Sequence, residues 1–196
     1  MYTVSAAPTQ VLKWYEVWRE VVLHPSANTF ERILADPTAA PVRAYAWVAI
    51  VSTLISVFGQ IFNPDATTLS LLIYPIFVPI ISLIGLAFEA LILHWVAKRY
   101  HGQGSYHRMV YVLGAIYAPY GIIEMGLNMV LPSVVMFLFG IFMLYLQVQA
   151  IKAAERITTS QAYWTFTLPG LLLVVLTVFI IIALVLLGPA LGAGIR

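Results

Sequence analysis

The chain of 196 residues is 62% hydrophobic and only 9% charged, with ten Lys and Arg, eight Asp and Glu and a formal net charge of +2. Soluble domains are about half apolar and about a quarter charged, so a chain with a mean hydropathy of +0.94 needs a bilayer as its solvent. Disorder requires low hydrophobicity and a nucleic-acid module requires a concentrated basic face, so both are excluded. The lack of cysteine removes disulfide scaffolds, thiolate metal sites, Fe–S clusters and cysteine nucleophiles.

Residues 1–42 have no charged start followed by an apolar run and a small-residue cleavage site, so they read as a retained segment, not a signal peptide. Within them Val11, Tyr15, Trp18 and Val22 fall on one helical face and Lys13, Glu16 and Glu20 on another. Trp14 and Trp18 are side chains suited to the headgroup boundary. The segment is therefore an interfacial helix that contacts membrane or a partner through Trp14 and Trp18, or a helix packed under the bundle.

A membrane helix needs roughly 20 predominantly apolar residues. Five stretches qualify: 43–62, 69–97, 108–131, 133–151 and 166–191. Asn63-Pro64-Asp65 separates the first two, and His101-Gly102-Gln103-Gly104-Ser105 supplies a turn and an N-cap before the third. Leu131-Pro132-Ser133 makes the third and fourth an antiparallel hairpin. A polar loop over 152–165 precedes the fifth.

Lys13, Arg19, Arg32, Arg43, Lys98, Arg99, Arg108, Lys152 and Arg156 all fall on one side of these spans, and only Arg196 on the other. The positive-inside rule then predicts an all-α polytopic integral membrane protein with five transmembrane helices, its N-terminus cytoplasmic and its C-terminus outside. The domain reading is a cytoplasmic segment over 1–42, a membrane domain over 43–191 and a short external tail over 192–196.

Glu89 and Glu124 are the two charges within hydrophobic helices. A carboxylate at mid-membrane costs roughly 2.5–3.5 kcal/mol on insertion scales, so each should face a partner or a cavity, or become protonated. Gly114, Tyr117, Gly121, Glu124 and Asn128 share one face of the third span; Ser82, Gly85 and Glu89 share one on the second, and Gly140 and Gln147 one on the fourth. Small and polar stripes pack inward in lipid, so a polar seam of Glu89, Glu124, Asn128 and Gln147 is expected between these helices. Glu89 lies roughly 14 Å and Glu124 roughly 25 Å from the basic end, at different depths. The seam is either buried polar glue or stepping stones for an ion.

Pro75, Pro79, Pro119 and Pro169 interrupt the spans, as kinks or as broken helices that expose backbone. No catalytic residue, cofactor site or metal site emerges. There is no His-Glu-x-x-His, and Ser105 lacks a helical histidine to activate it. His94 alone is deep enough to ligate a haem or chlorin, or it is an interfacial residue beside Trp95. The Gly102-Gln103-Gly104 turn is an anion cradle or a tight hairpin.

Three stretches in order resemble the Yip family, the Ypt/Rab-interacting membrane proteins, over about Tyr15 to Leu187. Trp18-Arg19-Glu20-Val21-Val22-Leu23-His24-Pro25 with Phe30-Glu31-Arg32-Ile33 is similar to the family's juxtamembrane stretch. Gly102-Gln103-Gly104-Ser105-Tyr106 leading to Tyr117-Ala118-Pro119 resembles its glycine-serine turn and proline-containing third span. Residues Ala153 to Ala162, followed by Pro169, resemble the polar loop before its last span. The resemblance implies five spans and a cytosolic N-terminus; eukaryotic relatives act in membrane traffic and contact small GTPases. This chain has about 42 residues before the first span in place of a long cytosolic region, which implies a prokaryotic type in the cell (inner) membrane.

The expectation is therefore a non-enzymatic scaffold or organiser of membrane partners. Membrane lipids, other proteins or a second copy of the chain are its partners, and nucleic acid is not. A small ion or solute transporter using the intramembrane carboxylates, and an accessory subunit of a larger membrane complex, are the alternatives.

Overall fold

Seven helices follow one another in the computed structural model, which describes residues 11–128 and 130–193. They are α1 (Trp14–Leu23), α2 (Ala27–Leu34), α3 (Pro41–Ile61), α4 (Thr68–Arg99), α5 (Tyr106–Asn128), α6 (Ser133–Glu155) and α7 (Thr159–Ala193). The described residues contain no strand. Helices α3 to α7 each hold a stretch long and apolar enough to cross a membrane, running in α7 from Thr159 to Phe179. The chain is a five-span integral membrane protein.

Local chemistry sets the helix starts. Pro41 occupies the first turn of α3, where its missing N–H costs nothing. Ser26 accepts the Thr29 N–H at the start of α2, and Thr67 accepts the Ser70 N–H at the start of α4. Pro75 and Pro79 lie within a continuous α4, and Pro119 within a continuous α5.

Two sequence expectations change here. The polar stretch 152–165 is mostly helical: only Arg156 to Thr158 separate α6 from α7. Arg156 takes a left-handed conformation (φ 56°) that ends α6. Thr158 and Gln161 then exchange bonds, with the Gln161 N–H donating to Thr158 Oγ1 at 3.3 Å and the Thr158 N–H to Gln161 Oε1 at 3.0 Å. This capping box starts α7 a full turn and more before the apolar run. The face of α1 that meets the core is only partly that of Val11, Tyr15, Trp18 and Val22: Trp18 and Val22 pack against it beside the fully buried Val17 and Val21, while Val11 and Tyr15 are 58% and 45% exposed. Helix α1 packs on α5, and the i, i+4 pair Val17 and Val21 lies on its buried side.

The core lies at one end of the bundle. Helix α5 is its axis, with Met109 to Ile116 continuously buried. Trp47 and Val51 of α3, Ala90 and Leu93 of α4, and Ala150 and Ile151 of α6 close around it. At the other end large apolar side chains such as Leu72, Phe77, Phe137 and Leu172 are exposed, as a lipid-facing surface requires. The end holding the core also carries α1, α2 and the two basic connections, and is called the basic end below. Gly114 lets α3 and α5 meet there, since a Cβ on it would stand 2.6 Å from Ala44 Cβ.

Candidate functional site

Three polar assemblies are built into this bundle, and each joins two or more of its helical segments. The innermost is centred on Tyr117 of α5. Its hydroxyl donates to Glu89 Oε1 of α4 at 2.5 Å and accepts from Gln147 Nε2 of α6 at 2.8 Å. Glu89 and Tyr117 also line a cavity of about 320 Å³ with Ser52 and Ser82, between α3, α4 and α5. One phenol thus supplies the partner that an intramembrane carboxylate needs.

The expected seam residues divide between two places. Glu89 and Gln147 come together, with Tyr117 between them. Glu124 and Asn128 are exposed and line a separate cavity of about 420 Å³ with Ile55, Gly59, Gly121 and Met125. Glu124 lies two turns from Tyr117 along α5, about 10 Å toward the other end.

A second assembly closes the basic end, and sequence reasoning missed it. Glu155, in the last turn of α6, has no exposed surface. Its Oε1 stands 2.5 Å from Nδ1 of His94 on α4, and its Oε2 accepts the Gly104 N–H at 3.2 Å. The Glu155 carbonyl accepts the Gln103 N–H at 2.8 Å, and Lys98 Nζ donates to the Gly102 and Gly104 carbonyls at 2.9 Å each. The α4–α5 turn is therefore clamped onto the C-terminus of α6.

Both glycines are required by proximity. A Cβ on Gly102 would meet Glu155 Oε2 at 2.8 Å and the Ala97 carbonyl oxygen at 3.0 Å, and one on Gly104 would overlap the Ala154 carbonyl. The turn that could have cradled an anion holds this carboxylate instead, and His94 engages it through one ring nitrogen. Glu155 sat among loop charges in the sequence. The signal was the small-residue run Ala153-Ala154 beside it, matched by Gly102-x-Gly104 about fifty residues away.

A third assembly ties the N-terminal helices down. Asp36, with a side chain fully out of solvent, accepts from Leu12 N at 3.2 Å, Thr38 N at 2.8 Å and Thr38 Oγ1 at 2.9 Å, and pairs with Arg43 Nη1 at 3.3 Å. Arg43 Nη2 donates to the Leu12 carbonyl at 2.7 Å, and its guanidinium lies 5.0 Å over the Trp47 ring. A buried carboxylate satisfied by four groups is a specific fixture, because breaking it strands a charge. Trp18 is half-buried and packs edge-on against Trp47 at 6.1 Å and Trp14 at 5.0 Å, whereas Trp14 stays 53% exposed. Among the described residues, no three His, Asp or Glu side chains group to hold a metal ion.

The Yip1 domain family matches residues 19–191. The chain belongs to the Yip1 family. No curated protein and no solved structure matches it. All three assemblies lie essentially within the Yip1 domain, from Asp36 and Arg43 through Glu89, His94 and Tyr117 to Gln147 and Glu155; Leu12, Trp14 and Trp18 precede it.

Proposed function

We propose that this Yip1-domain protein is a non-enzymatic organiser of membrane partners, working from its basic end. The observation behind this reading is the fixed platform made by α1 and α2. Val17, Val21, Phe30 and Ile33 are completely buried under it, each burial stabilising by roughly 1.5–3 kcal/mol. Two helices of this length would not hold alone. The platform nevertheless leaves Val11, Trp14, Tyr15 and Leu23 exposed, and aromatic side chains on a rigid support suit contact with a partner or the membrane interface. Partners are membrane lipids, other membrane proteins or a second copy of the chain.

The test pairs copurification with flux. Trp14→Ala combined with Tyr15→Ala removes the exposed rings and leaves Val17 and Val21 in place. Proteins crosslinked in the native membrane are expected to fall at least several-fold in this variant. An unchanged crosslinked set, or solute flux in liposomes that disappears in Glu89→Gln, removes the organiser reading and favours transport.

The reading also places the N-terminus in the cytoplasm and the protein in a prokaryotic cell membrane. Because the chain has no cysteine, single substitutions report topology cleanly. In intact cells an impermeant maleimide is expected to label Asp65→Cys in the α3–α4 turn, and Gln103→Cys only after permeabilisation. The opposite pattern inverts the orientation.

A further inference from the structure

At the basic end, beside the platform, Arg108 of α5 and Lys152 and Arg156 at the end of α6 line a cavity of about 770 Å³ with Leu34, Ile157 and one carboxylate, Glu31. Among the described residues none of the three cations makes an ion pair. Arg108 Nε is buried without a hydrogen-bond partner, and its Nη2 reaches only the Ala153 carbonyl at 3.5 Å. Three cations around one cavity repel each other, and an anion with several acceptor oxygens would satisfy them together.

The same face of α6 continues into an apolar groove. Tyr145, Val148 and Gln149 precede Lys152 and Arg156 at three- and four-residue steps, so they lie in one row. With Tyr163, Phe166 and Gly170 of α7 they line a cavity of about 570 Å³. From Thr159 to Leu171 it extends along α7 for about 18 Å, on the scale of one leaflet of a hydrocarbon core about 30 Å thick. A Cβ on Gly170 would meet nothing within 4 Å, so this wall of the groove is open.

We infer that this row is a binding site for one anionic glycerophospholipid, its phosphate among Arg108, Lys152 and Arg156 and an acyl chain in the α6–α7 groove. The charge excess selects an acidic headgroup, since a zwitterionic lipid brings a cation into a cavity already holding three. The groove selects a lipid over a free phosphate. The position fits both, because the cations stand where a membrane helix ends and the groove lies where its apolar body begins.

The experiment uses the purified full chain in neutral detergent, with binding followed by native mass spectrometry and by thermal shift. Dioctanoyl-phosphatidylglycerol, dioctanoyl-phosphatidylcholine and inorganic phosphate are the probes. Lys152→Gln removes one charge. Arg156→Gly removes another while keeping a residue at ease in the left-handed conformation found there. Gly170→Phe fills the groove. Saturable binding of phosphatidylglycerol in preference to phosphatidylcholine is expected, weakened about five-fold by each charge removal. Gly170→Phe is expected to weaken lipid binding and leave any phosphate binding unchanged. Equal binding of the two lipids, indifference to both charge removals in variants that melt normally without lipid, or phosphate binding as tight as the lipid would each overturn the assignment.

Discussion

Replacing Glu155 with alanine is expected to destabilise the basic end by about 3 kcal/mol. A hydrogen bond to a charged group contributes about 1.5–3 kcal/mol, and a buried amide left without an acceptor costs about 1–3 kcal/mol. Glu155→Ala removes the partner of His94 and leaves the Gly104 N–H without its acceptor. The two contributions need not add in full, because neighbouring groups relax around the gap. Glu155→Gln provides the comparison. Its amide oxygen can still accept from Gly104, and its NH₂ can donate to the His94 ring nitrogen, so most of the stability should return. Thermal unfolding in detergent reads both variants. The turn should also open locally, seen as faster maleimide labelling of Gln103→Cys in the Glu155→Ala background than in the parent. A melting temperature and labelling rate unchanged by Glu155→Ala would show that the clamp contributes nothing.

Gly104→Ala is expected to cost about as much with a single methyl group. The Cβ would overlap the Ala154 carbonyl oxygen and approach Glu155 Cα to 2.9 Å, and these are backbone atoms at a helix end that cannot rotate away. Overpacking of this kind costs about 1–3 kcal/mol, toward the upper end where the obstacle is backbone. Gly140→Ala is the control. Its added methyl meets nothing within 4 Å, and alanine inside a helix is favoured over glycine by about 0.5–1 kcal/mol. The two substitutions should therefore shift the melting temperature in opposite directions. Equal shifts would mean that the close approach at position 104 does not require glycine.

The clamp and the Asp36–Arg43 fixture have a common physical meaning. Each uses a buried carboxylate to join separate helical segments, and each lies at the end of the bundle that holds the core. Packing at that end is dense around α5, while the opposite end presents apolar side chains to lipid. The hydrogen bonds around Glu89 and Glu155 also hold α4, α5 and α6 together, although Gln147 Oε1 is buried without a partner.

Hydropathy and turn residues determined much of this protein by themselves. The number of spans, the short α5–α6 connection and the gathering of nine cations at one end follow from composition along a line, because a bilayer demands about 20 apolar residues per crossing wherever the chain goes. Glu89 could be singled out for the same reason: its cost in hydrocarbon exists before any partner is known. The partner itself is a property of three dimensions. Tyr117 joins Glu89 to Gln147 only because α5 lies between α4 and α6, and Glu124 on the same helix faces a different cavity. The capping box at Thr158 and Gln161 was legible in the sequence, but the polarity of its surroundings resembled a loop. Glu155 and His94 are separated by 61 residues. The small residues Ala153 and Ala154 beside Glu155 hint at a close approach but do not name its partner; the meeting depends on two glycines admitting a backbone within contact distance, and that distance exists only in the folded bundle.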